Sequence, residues 1–119
     1  MVSIVEIPTS DFTRAKAFYQ SILDIQIEVV DMDGITIGSF PNAPDGVAVQ
    51  LINGAGYKPS ANGTVIYLNG GEDLQSVAGK IEANGGKLIV TKTEIAPDMG
   101  FFALFTDTEG NRLGLHSYR

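Results

Sequence analysis

Few side chains in this sequence can do chemistry, and most of those that can sit on predicted strands. His116 is the only histidine. An imidazole titrates near neutral pH, so it can serve as acid, base or ligand contact; at a strand end it can equally be satisfied by neighbouring backbone. Glu6, in Ile4-Val5-Glu6-Ile7-Pro8, is suited either to proton transfer in a cavity or to solvent and a structural pairing with Arg112. Gln50 and Thr64 are polar residues within apolar strands. Such groups need partners, so they bond each other or contact a ligand. Tyr57 stands in Gly54-Ala55-Gly56-Tyr57-Lys58-Pro59, where a large aromatic has no propensity reason to be. It suits closure over a ligand or packing against a partner subunit. There is no cysteine, hence no disulfide, thiolate metal site or thiol nucleophile. No Ser/His/Asp triad, P-loop or dinucleotide fingerprint appears.

The elements that must position these residues come as one pattern written twice. Ser3 to Ile7 predicts a strand, ended by Pro8. Ser10 or Asp11 then caps a helix whose Phe12, Ala15, Phe18, Tyr19 and Ile22 make one apolar face at three-to-four spacing. Alternation predicts strands over 25–30, 35–40 and 47–52, with Met32-Asp33-Gly34 as a hairpin turn and 41–46 as a loop. A linker rich in Gly and Pro covers 53–62. The second copy predicts a strand over 63–69 and a helix holding Leu74, Val77, Ala78 and Ile81, stopped by Asn84-Gly85-Gly86. Strands over 87–93, 101–106 and 111–117 complete it. The fold class is therefore α+β: two βαβββ repeats, about 3–53 and 63–117, in a single domain spanning 1–119. Paired repeats often enclose a shared concavity, and ligands favour concave places.

Composition narrows the partners. With 119 residues and 44% hydrophobic content the chain can bury a core. Its net charge of −6 and lack of a Lys/Arg cluster argue against nucleic acid. No apolar run approaches the ~20 residues of a membrane helix. Met1-Val2-Ser3-Ile4-Val5-Glu6 lacks a basic leader, so a cytoplasmic location is expected.

The order of elements and three stretches carry a resemblance. Val5 to Tyr19 holds a strand, Asp11, Arg14-Ala15 and Phe18-Tyr19. Ile81-Glu82-Ala83-Asn84-Gly85-Gly86 ends the second helix. Asp107-Thr108-Glu109-Gly110-Asn111-Arg112 precedes the last strand. Together these resemble the vicinal-oxygen-chelate superfamily of glyoxalase I, bleomycin-resistance proteins and extradiol dioxygenases, most closely its small glyoxalase-like members. The resemblance covers essentially the whole chain. It implies a curved mixed half-barrel sheet and, commonly, a homodimer. It also implies four metal-ligand positions bearing His, Glu or Gln, which here fall on Ile4, Gln50, Thr64 and Gly114. Three of these four cannot ligate a divalent metal in the usual way. No metal and no other cofactor is expected. If positions 4 and 114 face a cavity, strand parity brings Glu6, Arg112 and His116 to it, beside Gln50 and Thr64.

Three functions fit. The first is a metal-independent protein that binds a small molecule in the sheet concavity, like the antibiotic-sequestering relatives. The second is a lactoylglutathione-lyase-related lyase or isomerase with an altered site, in which Glu6 or His116 transfers the proton. The third is a non-catalytic assembly protein with a filled concavity.

Overall fold

Helix α1 (Phe12–Leu23) forms where the apolar stripe predicts it. Asp11 caps its start, accepting the Arg14 backbone N–H at 3.1 Å, and Asp24 in the left-handed region ends it. Its buried face is Ala15, Phe18, Tyr19 and Ile22. Burying each large side chain on that face contributes about 1.5–3 kcal/mol. The structure, a computed structural model, describes residues 1–41 and 46–119. Of the expected 41–46 loop, positions 42–45 lie outside the described residues.

Both repeats build the same sheet. Strands β1 (Ile4–Pro8), β2 (Glu28–Met32), β3 (Ile35–Ser39) and β4 (Ala48–Asn53) lie in the order β1-β4-β3-β2. Strands β5 (Tyr67–Asn69), β6 (Lys87–Ala96), β7 (Gly100–Thr106) and β8 (Arg112–Ser117) lie in the order β5-β8-β7-β6. In each sheet the first strand runs parallel to the last, and the remaining pairs are antiparallel. The expected half-barrel thus takes the form of two four-stranded mixed sheets. Strands β1 and β5 are terminal strands, and no ladder joins them.

Three expectations need correction. The strand expected over 25–30 lies at Glu28–Met32, so Met32 belongs to the strand and not to the turn. The strand expected over 63–69 is confined to Tyr67–Asn69. Residues before it are bent, and Gly63 has φ of +98°, a turn conformation rather than a strand one. The second helix is not continuous. It divides into α2 (Gln75–Ala78) and a 3-10 turn at Glu82–Asn84. Gly79 falls between them, where a helix interior would lose about 1 kcal/mol relative to Ala. Its apolar residues still reach the core: Leu74, Val77, Ala78 and Ile81 are all buried.

One core unites the two halves. Ile7 and Leu51 of the first sheet, Leu68, Phe105, Leu113 and Leu115 of the second, and the α1 face belong to a single buried cluster. The Phe18 ring lies 6.2 Å from that of Phe105. Gly86 is needed here, because a Cβ at that position would come within 2.8 Å of Phe18 Cε1. Ile4, Glu6 and Pro8 alternate with core residues and so point away from it.

The stretches that open and close the chain meet at a polar clamp. Asp107, buried, accepts the Tyr19 hydroxyl at 2.7 Å and the backbone N–H groups of Glu109 and Asn111, each at 2.9 Å. The Asn111 amide donates to Asp107 and, at 2.8 Å, to the Pro8 carbonyl. Burial, together with the Asp107 carboxylate, pushes the Tyr19 hydroxyl well above the usual range. Beside it the enclosed Glu109 carboxylate accepts both N–H groups of Ser10 and Asp11 and the Thr108 hydroxyl, and pairs with Arg14 at 2.8 Å. Burial alone would raise Glu109. The bonds from Arg14, Asp11, Thr108 and Ser10 outweigh it and hold the carboxyl at about 2.

Candidate functional site

The ladder registers show how each outward face is furnished. In the first sheet Glu6 pairs with Gln50, next to the core pair Ile7 and Leu51. In the second, Tyr67 pairs with Gly114, next to the core pair Leu68 and Leu115. Tyr67 and Gly114 therefore take the places of Glu6 and Gln50. In the first sheet the Gln50 amide donates to the Glu6 carboxylate at 3.3 Å. In the second an aromatic ring lies over bare backbone: a Cβ at Gly114 would come 2.3 Å from Tyr67 Cδ2. A side chain at 114 and the Tyr67 ring exclude each other.

Between the two sheets lies a groove of about 300 Å³. Glu6 and Pro8 of β1, Thr64 before β5, and Arg112 at the start of β8 line it. Lys58, Ser60 and Asn62 of the linker close one side. The Ser60 N–H is fixed by the Asn111 carboxamide oxygen at 3.1 Å, which ties this wall to the clamp. Neither the Lys58 nor the Arg112 side chain has a hydrogen-bond or ion-pair partner among the described residues. Two cations and one carboxylate thus give the groove one net positive charge on a chain of net charge −6.

Of the six residues singled out in the sequence, the structure brings three to this groove: Glu6, Thr64 and Arg112. Gln50 adjoins it through its bond to Glu6, and not through Thr64. Glu6 and Arg112 form no ion pair. Tyr57, half-buried, folds back so that its N–H donates to the Gly54 carbonyl, and it is not part of the groove wall. His116 is elsewhere. It lines a separate 600 Å³ depression with Tyr67, Glu72 and Tyr118. There its Nε2 bonds the Met99 carbonyl at 2.9 Å and its ring meets Tyr118 edge-on at 4.8 Å. Glu6 and His116 therefore do not share a site. Sequence reasoning passed over Tyr67 and Lys58. For Tyr67 a signal existed, since it precedes Leu68 as Glu6 precedes Ile7. Lys58, in an irregular linker, gave none.

Comparison with known proteins bears on this arrangement. The model of the Glyoxalase/Bleomycin resistance protein/Dioxygenase superfamily matches residues 2–115. The chain belongs to this superfamily. No curated protein matches it in sequence. Among solved structures it is similar to a glyoxylase/bleomycin resistance protein/dioxygenase domain from Frankia sp. EAN1pec, with 17% identity, TM-score 0.75, and coverage of 100% of this chain and 98% of that one. An antibiotic binding protein from Streptomyces sp. CB03234 gives 18%, 0.68, 100% and 96% in the same order. Glyoxalase I from Zea mays gives 18% and 0.73, with 99% of this chain but 44% of that one covered. The chain thus spans less than half the length of the maize protein. At these identities the likeness is one of fold.

The residues present do not fit a divalent metal at the four positions that the superfamily resemblance implies. Ile4 carries no donor. Counting back from Leu68 as from Ile7 brings Val65, not Thr64, to the place of Ile4, and Val65 has no donor either. Gly114 is covered by the Tyr67 ring. Gln50, whose amide nitrogen bonds Glu6, offers one neutral carbonyl oxygen at most. Among the described residues no three His, Asp or Glu side chains converge. A zinc site is built from three or four such donors in a fixed geometry.

Proposed function

We propose that this protein binds a small molecule without a metal, using the groove between β1 and the residues that lead into β5 and β8. The observation that carries the reading is the pair of unpartnered cations, Lys58 and Arg112, facing Glu6 across about 300 Å³. Unpaired charges lining a concave place of that size are what a polar ligand group needs for orientation. Glu6, Gln50, Thr64 and Arg112 are its ligand-contacting residues, with the Glu6–Gln50 bond setting the carboxylate's direction. Tyr57 buttresses the linker that carries Lys58.

A homodimer belongs to the same reading. Ile4, Val30 and Met32 are 59%, 50% and 56% exposed. Cross-strand partners share a face, so all three lie on the Gln50 side of the first sheet. Val30 and Met32, two apart on the edge strand β2, form an exposed apolar pair that such an association would cover. A cytoplasmic location is part of the proposal; no helix among the described residues is long and apolar enough to cross a membrane.

The lyase reading keeps one support: Glu6 borders the groove and can take a proton there. The test is a thermal-shift panel of small polar and antibiotic-like compounds with untagged protein in chelator. A binder raises the melting temperature by mass action. Compounds that do so for the wild type but not for Arg112→Ala carry the reading. A panel with no shift contradicts it. Turnover of a binder that disappears in Glu6→Gln moves the assignment to the lyase.

A further inference from the structure

A second cavity, of about 450 Å³, lies at the other end of the same seam. Its direction follows from the clamp: Asn111, just before β8, bonds the Pro8 carbonyl at the end of β1. Strand β5 runs parallel to β8, so β5 starts where β1 ends and finishes beside the start of β1. The polar groove, with Pro8, Thr64 and Arg112, occupies the first of these ends. The second cavity holds Tyr67, Leu68 and Asn69, the end of β5. Its walls differ in kind. Leu23, Ile25, Phe40 and Val49 line it, all half-buried, and among the described residues it holds no charged side chain. Val5 and Ile66 line both cavities.

We propose that the seam between β1 and β5 is one amphipathic channel that takes an elongated ligand with an anionic head and an aliphatic body. This rests on the small-molecule reading above and names its ligand class. The head lies between Arg112 and Lys58. The chain passes Val5 and Ile66 and ends against Leu23, Ile25 and Phe40. Apolar side chains left half-covered beside a cavity whose described lining is uncharged favour an apolar guest. The net positive charge of the polar end favours an anion, against the negative balance of the whole chain. A carboxylate and a phosphate monoester share that chemistry.

The test is isothermal titration calorimetry of the full chain in chelator. The probes are hexanoate, octanoate and decanoate, decyl phosphate, and decanol, each below its micelle concentration. Decanoate or decyl phosphate should bind, and whichever head binds more tightly identifies the source. Affinity should rise about threefold to fourfold per added methylene. Arg112→Ala should weaken every anion by a similar factor, about tenfold, while the methylene increment stays. Ile25→Trp, or Leu23→Trp if the former lowers the melting temperature, should abolish the increment and leave hexanoate unchanged. Affinity independent of chain length, or decanol binding as tightly as decanoate, overturns the proposal. If none of these amphiphiles binds while other compounds shift the melting temperature, the amphiphile assignment falls and the small-molecule reading stands. If nothing binds in either experiment, both fall.

Discussion

The seam joining the two repeats has two unlike regions. At the clamp every polar group is answered: Asp107 takes four bonds, and Glu109 is met by two backbone N–H groups, two hydroxyls and Arg14. In the adjoining groove Lys58 and Arg112 are unanswered. The difference separates residues that hold the fold from residues available to a ligand. The most recognisable residues of the chain, Asp11, Arg14, Tyr19, Asp107 and Asn111, fall in the clamp. Glu6 and Arg112 come from the same recognisable stretches of sequence, yet they border the groove and take no part in the clamp.

Substitutions should divide along the same line. The largest effect is expected for Asp107→Ala. It strands a buried hydroxyl, two N–H groups and the Asn111 amide, and should cost about 3–5 kcal/mol in urea unfolding. Glu109→Gln should cost about 1–3 kcal/mol, because it weakens charge-assisted bonds without removing them. It should also alter the response to acid. The folded carboxyl of Glu109, at about 2, lies below its unfolded value of 4.5. Its contribution is therefore complete above about pH 5 and is lost as pH falls towards 2. Wild type should lose stability through that window, and the variant should lose less.

Next comes Gly114→Ala, which must displace the Tyr67 ring and should cost about 1–3 kcal/mol. Combining it with Tyr67→Ala should recover most of that loss, a coupling read by a double-mutant cycle. A Gly114→Ala variant as stable as wild type would mean that the ring does not hold this place. The smallest effects on stability belong to the groove. Glu6→Gln and Arg112→Ala should stay within about 0.5 kcal/mol of wild type in the same unfolding assay. A loss at Arg112 as large as that at Asp107 would erase the distinction between clamp and groove.

How much of this the sequence disclosed depends on what each feature is made of. The duplicated βαβββ order was legible because helix and strand periods act locally. The second helix was overread because its apolar spacing persists across Gly79, although the hydrogen bonds there tighten to a three-residue spacing. Thr64 was placed on a strand because an apolar run says little about where a strand starts. It reaches the groove all the same, from the turn that precedes β5. The pairing of Glu6 with Gln50 depends on register between strands 44 residues apart, which no local pattern encodes. Arg14 and Glu109 were quoted as motif residues. Their meeting across 95 positions is a tertiary fact. His116 attracted notice as a lone histidine, and its bond to the Met99 carbonyl gives it the local satisfaction that a strand-end position allows.

The central claim is that the site works without a metal, and one measurement addresses it most directly. Untagged protein would be analysed for bound metals by elemental mass spectrometry, then titrated with Zn, Ni, Mn and Fe(II) while its melting temperature is followed. The account predicts no stoichiometric metal and no shift with any of the four, with ligand-induced shifts unchanged by chelator. Stoichiometric metal, or a ligand shift that chelator abolishes, would contradict it.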